Sequence, residues 1–177
     1  MLLVAAVPTN LTGFVQEYMK DQLKPYLDSL QVGFSSKMEK SQANVRFDIY
    51  AYSRPNRVFL IWELEMCNCR KGCITNVRKV KTILDREWLP HVHMFHVFSP
   101  FCVNDARPCL KAAKNLRKKY ELRFTYQQFQ LSIPYDDLYD IYDLFERHRL
   151  SAERKYGQRL RVHIGKIVRQ SIDMFRG

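Results

Sequence analysis

The segment Val58-Phe-Leu-Ile-Trp-Glu-Leu-Glu-Met66 constrains this chain more than any other. It is apolar at both parities, so as a strand it needs cover on both faces, which puts it at the centre of a layered sheet. Glu63 and Glu65 interrupt the run at a spacing of two, and in a strand that spacing sends both carboxylates to one face. Two like charges withdrawn from water cost on the order of several kcal/mol unless a shared proton, an arginine fork or a bound cation compensates.

The elements around this strand follow from periodicity and breakers. Thr9-Asn10 and Thr12 start a helix running from about Leu11 toward Leu30, carrying Phe14, Val15 and Tyr18, which Pro25 is expected to kink or divide. Val45 to Tyr52 alternates as a strand, with Val45, Phe47, Ile49 and Ala51 on one face and Arg46, Asp48, Tyr50 and Tyr52 on the other. A turn over Arg54 to Arg57 joins it to the Val58 strand as a hairpin. After a break at Asn68 to Gly72, a helix from about Cys73 to Trp88 carries Ile74, Val77, Val80, Leu84 and Trp88 on one stripe, and Pro90 closes it.

His91 to Phe98 is the next strand. A helix over Asp105 to Tyr120 follows, packing Ala106, Leu110, Ala113 and Tyr120, and then a strand from Arg123 to Ser132. Two amphipathic helices complete the chain, one using Leu138, Ile141, Tyr142 and Phe145, the other Leu160, Ile164, Ile167, Val168, Ile172 and Phe175. The fold class is α/β: a mixed central sheet flanked by helices over residues 1–132, with a C-terminal helical pair over 133–177 packed on that core.

The net charge of +11 favours a polyanionic partner, through long-range attraction and counterion release from nucleic acid. No run approaches the roughly 20 apolar residues that span a bilayer, so integral membrane association is not expected. The apolar start, Met1 to Val7, lacks the basic opening and length of a signal peptide and reads as a buried segment. A cytoplasmic location with reduced thiols is expected for the five cysteines, at 67, 69, 73, 102 and 109.

In a hairpin turning at Arg54 to Arg57, Asp48 falls almost opposite Glu63. Asp48, Glu63 and Glu65 together make a hard-oxygen site suited to Mg²⁺ or Mn²⁺, which would activate water and stabilise charge on a phosphate. The other reading of the same acids is a strand-end pair neutralised by Arg57, Arg70 or Arg46.

Asp48, then Glu63-Leu64-Glu65 at the end of an apolar strand, then Asn76-x-x-Lys79 on the next helix resembles the PD-(D/E)XK nuclease superfamily. The order helix, strand, strand, helix, strand is similar to that superfamily's restriction-endonuclease-like core, over about Leu11 to Ser132. The resemblance implies a nuclease in which Asp48 and Glu63 bind metal and Leu64 lends its backbone carbonyl. Glu65 occupies the usual lysine position. Some members carry an acid there and place the lysine on the following helix, which assigns Lys79 to orient the attacking water, with Lys81 as rival. Glu17 on the first helix is a further candidate acid, with a solvated glutamate the alternative.

Arg70, Lys71, Arg78 and Lys81 cluster beside the candidate site, and Lys111, Lys114, Arg117, Lys118 and Lys119 make a later helix densely basic. Both sets are candidate nucleic-acid contacts, for DNA ahead of RNA, and the second reads equally as a solvated helix face. Tyr50 and Tyr52 are candidates for base stacking or for core packing.

Cys67, Cys69 and Cys73 do not have a standard zinc-knuckle spacing, and His96 faces away from His91 and His93, so zinc is not expected. No Ser-His-Asp or nucleophilic-cysteine cue and no Gly-rich phosphate loop is present. The polarised C-terminal helices, acidic then basic, suit self-association as a homodimer or DNA contact. The alternatives to a nuclease are a catalytically inactive nucleic-acid-binding or assembly protein that keeps this fold, and a Cys/His zinc module.

Overall fold

The Val58 segment forms β5 (Val58–Glu65), and every residue of it is buried. The computed structural model describes residues 9–29, 37–38, 41–42, 45–53, 56–66, 72–85 and 91–176. Within these, β5 is the middle strand of a five-stranded sheet, which explains why both its faces are apolar. On its one side lies β4 (Ile49–Ser53), antiparallel to it, and outside β4 the short β1 (Lys37–Met38). On its other side lie β6 (His91–Phe98) and then β7 (Phe124–Gln130), both parallel to it. A two-stranded pair, β2 (Ser41–Gln42) with β3 (Val45–Arg46), stands apart from this sheet.

Parallel neighbours need crossovers, and helices supply them. α2 (Gly72–Leu84) links β5 to β6, and α3 (Ala106–Tyr120) links β6 to β7. Both cover the face that Phe59, Ile61, Val92, Met94 and Phe124 present, through Val77, Val80, Ile83, Cys109 and Ala113. α1 (Thr9–Ser29) and α4 (Tyr135–Arg176) cover the other face, where Leu60, Trp62, Leu64 and Phe95 meet Val15, Met19, Leu23, Leu160, Ile164 and Val168. The result is a mixed sheet between two helical layers.

α4 is helical in its overall span, yet the segment is not a straight rod. Arg159 Nη1 lies 2.6 Å from Asp137 Oδ2, and Asp140 acts electrostatically on Lys155. Twenty-two residues of straight helix would separate Asp137 from Arg159 by about 33 Å. The chain therefore doubles back between Asp140 and Lys155, giving two antiparallel limbs that match the two amphipathic stripes in the sequence. The second limb lies close on α1: an added Cβ at Gly157 would stand 3.1 Å from the Tyr18 hydroxyl, and the Arg161 guanidinium sits 5.3 Å from the Tyr18 ring centre.

Three expectations need correcting. Pro25 does not divide α1, which continues to Ser29 with Pro25 inside it. Phe47 packs under α2 rather than with Ile49 and Ala51, because the chain bends at Asp48 between β3 and β4. Leu110 on α3 is exposed, and Cys109 takes the buried place. Trp88 lies outside the described residues.

Candidate functional site

The alternation that buries Phe59 and Ile61 beneath α2 carries on to Glu63 and Glu65 at the C-terminal end of β5. Both acids are buried, at 1% and 2% exposure. The ladder pairs Ile49 with Trp62, and one step further along the same register Asp48 stands opposite Glu63. The bend there lets the Asp48 side chain turn in, and its Oδ2 accepts the Leu64 N–H at 2.8 Å. The Asp48 N–H in turn hydrogen-bonds the Glu63 carboxylate. This reciprocal brace locks the two acidic positions together across the strand pair.

Burial lifts the Glu63 carboxyl well above its usual range, and the Asp48 charge lifts it further. Lys79 pulls against both, Glu65 adds to the rise, and the Asp48 N–H opposes it. Glu63 Oε1 is buried and has no hydrogen-bond partner among the described residues. A carboxylate oxygen in that condition is costly, and a proton or a hard cation would relieve it.

α2 delivers the other groups. Asn76 and Lys79 are three residues apart and share a helix face. Asn76 Nδ2 donates to Glu65 Oε1 at 2.9 Å, while half-buried Lys79 stands near enough to Glu63 to act on its ionisation. Lys81, the rival lysine, is exposed and pairs with Asp85 at 2.6 Å.

Glu65, expected as a metal ligand, has its Oε1 engaged by Asn76 and, at 3.0 Å, by His96 Nε2. Among the described residues no group of three His, Cys, Asp or Glu side chains is disposed to hold a metal. The Asp48 and Glu63 carboxylates lie together here, and the orphaned Glu63 oxygen is the feature that would suit a hard cation.

His96, fully buried, is the residue the sequence did not flag. Its signal was parity. It sits opposite Glu63 in the β5–β6 register, and its facing away from His91 and His93 served only to argue against zinc. Glu17 lies on α1, over the sheet face opposite Glu63 and Glu65. Cys67, Cys69, Arg70 and Lys71 lie outside the described residues. Cys73 is buried, with its Sγ 4.0 Å from the Asp105 carbonyl, and burial pushes its thiol up. Tyr50 is a core residue stacked on Phe59 at 5.4 Å, and is not available to bases; Tyr52 is half-buried against the same ring.

Arg78 is exposed on α2. On α3, Arg107, Lys111, Lys114 and Lys118 are all exposed, and at about 100° per residue they fall within one narrow stripe. That stripe faces away from buried Cys109, Ala113 and Tyr120. It starts at the acid end of the sheet, where Gln128 Nε2 reaches the Ala106 carbonyl at 2.6 Å. It ends near the opposite end, where Lys114, Arg117 and Lys118 border a hollow with Phe124 and Thr125 at the start of β7.

Comparison with protein-family models, with curated proteins and with solved structures found no match to this chain. No described helix is long and apolar enough to cross a membrane.

Proposed function

We propose that this chain is a divalent-cation-dependent nuclease that hydrolyses phosphodiester bonds in nucleic acid, DNA ahead of RNA. The observation that carries the proposal is Glu63: a buried acid with an unpartnered oxygen, braced against Asp48 and facing the charge of Lys79. The strand order β1-β4-β5-β6, antiparallel then parallel at β5, supports a restriction-endonuclease-like core. The site's position at the carboxyl ends of parallel strands suits a ligand site in an α/β sheet.

In this function Asp48 and Glu63 would hold Mg²⁺ or Mn²⁺. A residue's N–H and C=O face the same side of a strand, so the Leu64 N–H bond to Asp48 supports its carbonyl as a further donor to that cation. Bound there, the cation supplies Lewis-acid stabilisation of the phosphate and an acidified water. Lys79 offers a positive charge to the negative charge that develops on the reacting phosphate. The α3 stripe holds the backbone of the substrate and leads toward the acid end.

The test is incubation of the purified protein with plasmid and single-stranded DNA in Mg²⁺, Mn²⁺ or EDTA. Cleavage is expected with either metal, none with EDTA, and loss to background in Glu63→Ala and Lys79→Ala. Cleavage that persists in EDTA or in Glu63→Ala overturns the proposal. The placement of Lys114, Arg117 and Lys118 toward the far end of the sheet favours a second reading, a binder without catalysis. Such a protein would retain DNA in every metal condition and cut in none.

A further inference from the structure

Glu65 stands where the superfamily motif carries lysine, and its surroundings give an acid a task there. Its Oε1 accepts Asn76 Nδ2 at 2.9 Å and lies 3.0 Å from His96 Nε2. On the far side of the imidazole, Nδ1 lies 3.0 Å from the Tyr126 hydroxyl. That oxygen receives Gln128 Nε2 at 2.9 Å, and the same amide nitrogen reaches the Ala106 carbonyl at 2.6 Å. An amide nitrogen only donates, so Gln128 donates to the Tyr126 hydroxyl; with that hydroxyl donating on to Nδ1, an Nε2 proton would face Glu65.

This run joins α2, β5, β6, β7 and the start of α3 through groups that are buried or half-buried. Asn76 is one turn from Lys79, so holding Asn76 fixes the rotation of the helix that carries the lysine. Glu65 is two residues from Glu63 on the same strand face, so holding Glu65 fixes the strand end that carries the orphaned oxygen. We infer that the Glu65–His96–Tyr126 network is a positioning device that sets Lys79 and Glu63 in register for the cation site. The inference rests on the proposed site at Asp48 and Glu63. His96 is a positioning residue, acting through Glu65 and Asn76.

The test measures Mn²⁺ binding by electron paramagnetic resonance, with melting temperature alongside, in the parent and in Glu63→Ala, His96→Leu, His96→Gln and Asn76→Ala. Outer-shell partners of metal sites typically change affinity about 10–100-fold. His96→Leu and Asn76→Ala are expected to weaken Mn²⁺ binding by that factor while staying folded. His96→Gln should recover affinity to within about threefold, because its amide N–H reaches Glu65. Nitrogen-15 NMR of the metal-free parent is expected to place the His96 proton on Nε2.

Parent-like Mn²⁺ binding in folded His96→Leu, with binding lost in Glu63→Ala, overturns the positioning role and leaves the site standing. Parent-like binding in Glu63→Ala, or none in the parent, removes the site and this inference with it. If His96→Leu does not fold, Asn76→Ala and the tautomer decide: unchanged affinity, or a proton on Nδ1, overturns the inference.

Discussion

Replacing Arg107, Lys111, Lys114 and Lys118 together by glutamine would strip the exposed stripe of α3 without touching its buried face of Cys109, Ala113 and Tyr120. From Arg107 to Lys118 the stripe extends about 16 Å along the helix, and none of the four residues takes part in an ion pair within the described structure. Each phosphate neutralised on a duplex contributes about −0.9 to the slope of log K against log salt, and on a single strand about −0.7. If each cation meets one phosphate, the quadruple variant should flatten the slope by about 3.6 on duplex and about 2.8 on single strands.

Between about 50 and 200 mM salt, the parent should then lose about 150-fold more duplex affinity than the variant. Fluorescence anisotropy titrations of a labelled duplex at several KCl concentrations measure this directly. Cleavage at saturating substrate should be nearly unchanged, because the proposed function gives the stripe only the holding of substrate and puts the chemistry at Glu63 and Lys79. A slope equal to the parent's, or a kcat that falls in step with affinity, would refute the assignment of this face to the nucleic-acid backbone.

Three further outcomes are expected. The Glu63 carboxyl titrates above its ordinary 4.5 in the fold; its contribution is whole below that value and is lost as pH rises through the raised one. Glu63→Gln should therefore gain stability on the parent as pH climbs, by up to about 1.4 kcal/mol per pH unit within that window, and parallel urea-denaturation curves in EDTA would contradict this. Ser171→Ala removes the acceptor of the buried Trp62 Nε1–H, 3.2 Å away, and should cost about 1–3 kcal/mol in the same assay. Gly157→Ala should be tolerated, since the Tyr18 hydroxyl it approaches can swing aside; Gly157→Leu should prise α1 from α4 and cost about 1–3 kcal/mol, read as a lower melting temperature.

Much of the sheet was legible because its strands carry strong local patterns. Val58 to Met66 announces a centre strand by being apolar at both parities, and the spacing of Glu63 and Glu65 fixes their common face before any coordinates are known. The opposition of Asp48 and Glu63 follows from the turn between the strands. The bend at Asp48 was not legible, because β-periodicity assumes a continuous pleat and places Phe47 with Ile49. Nor was the bonding of Glu65. The sequence gives its face and charge, whereas the competition between a cation, Asn76 and His96 for its oxygen depends on which residues three separate elements bring to one point. The doubled-back path of α4 shows in the sequence as two stripes, but the place of reversal emerges from the pairing of Asp137 with Arg159.

The Trp62–Ser171 hydrogen bond joins residues 109 positions apart. The central strand thus completes its second cover only when a segment far along the chain docks beside α1. Contacts of such long range slow folding and delay closure of the core. A change in the second limb of α4 therefore reaches the very strand that carries Glu63 and Glu65, although those acids lie on its opposite face.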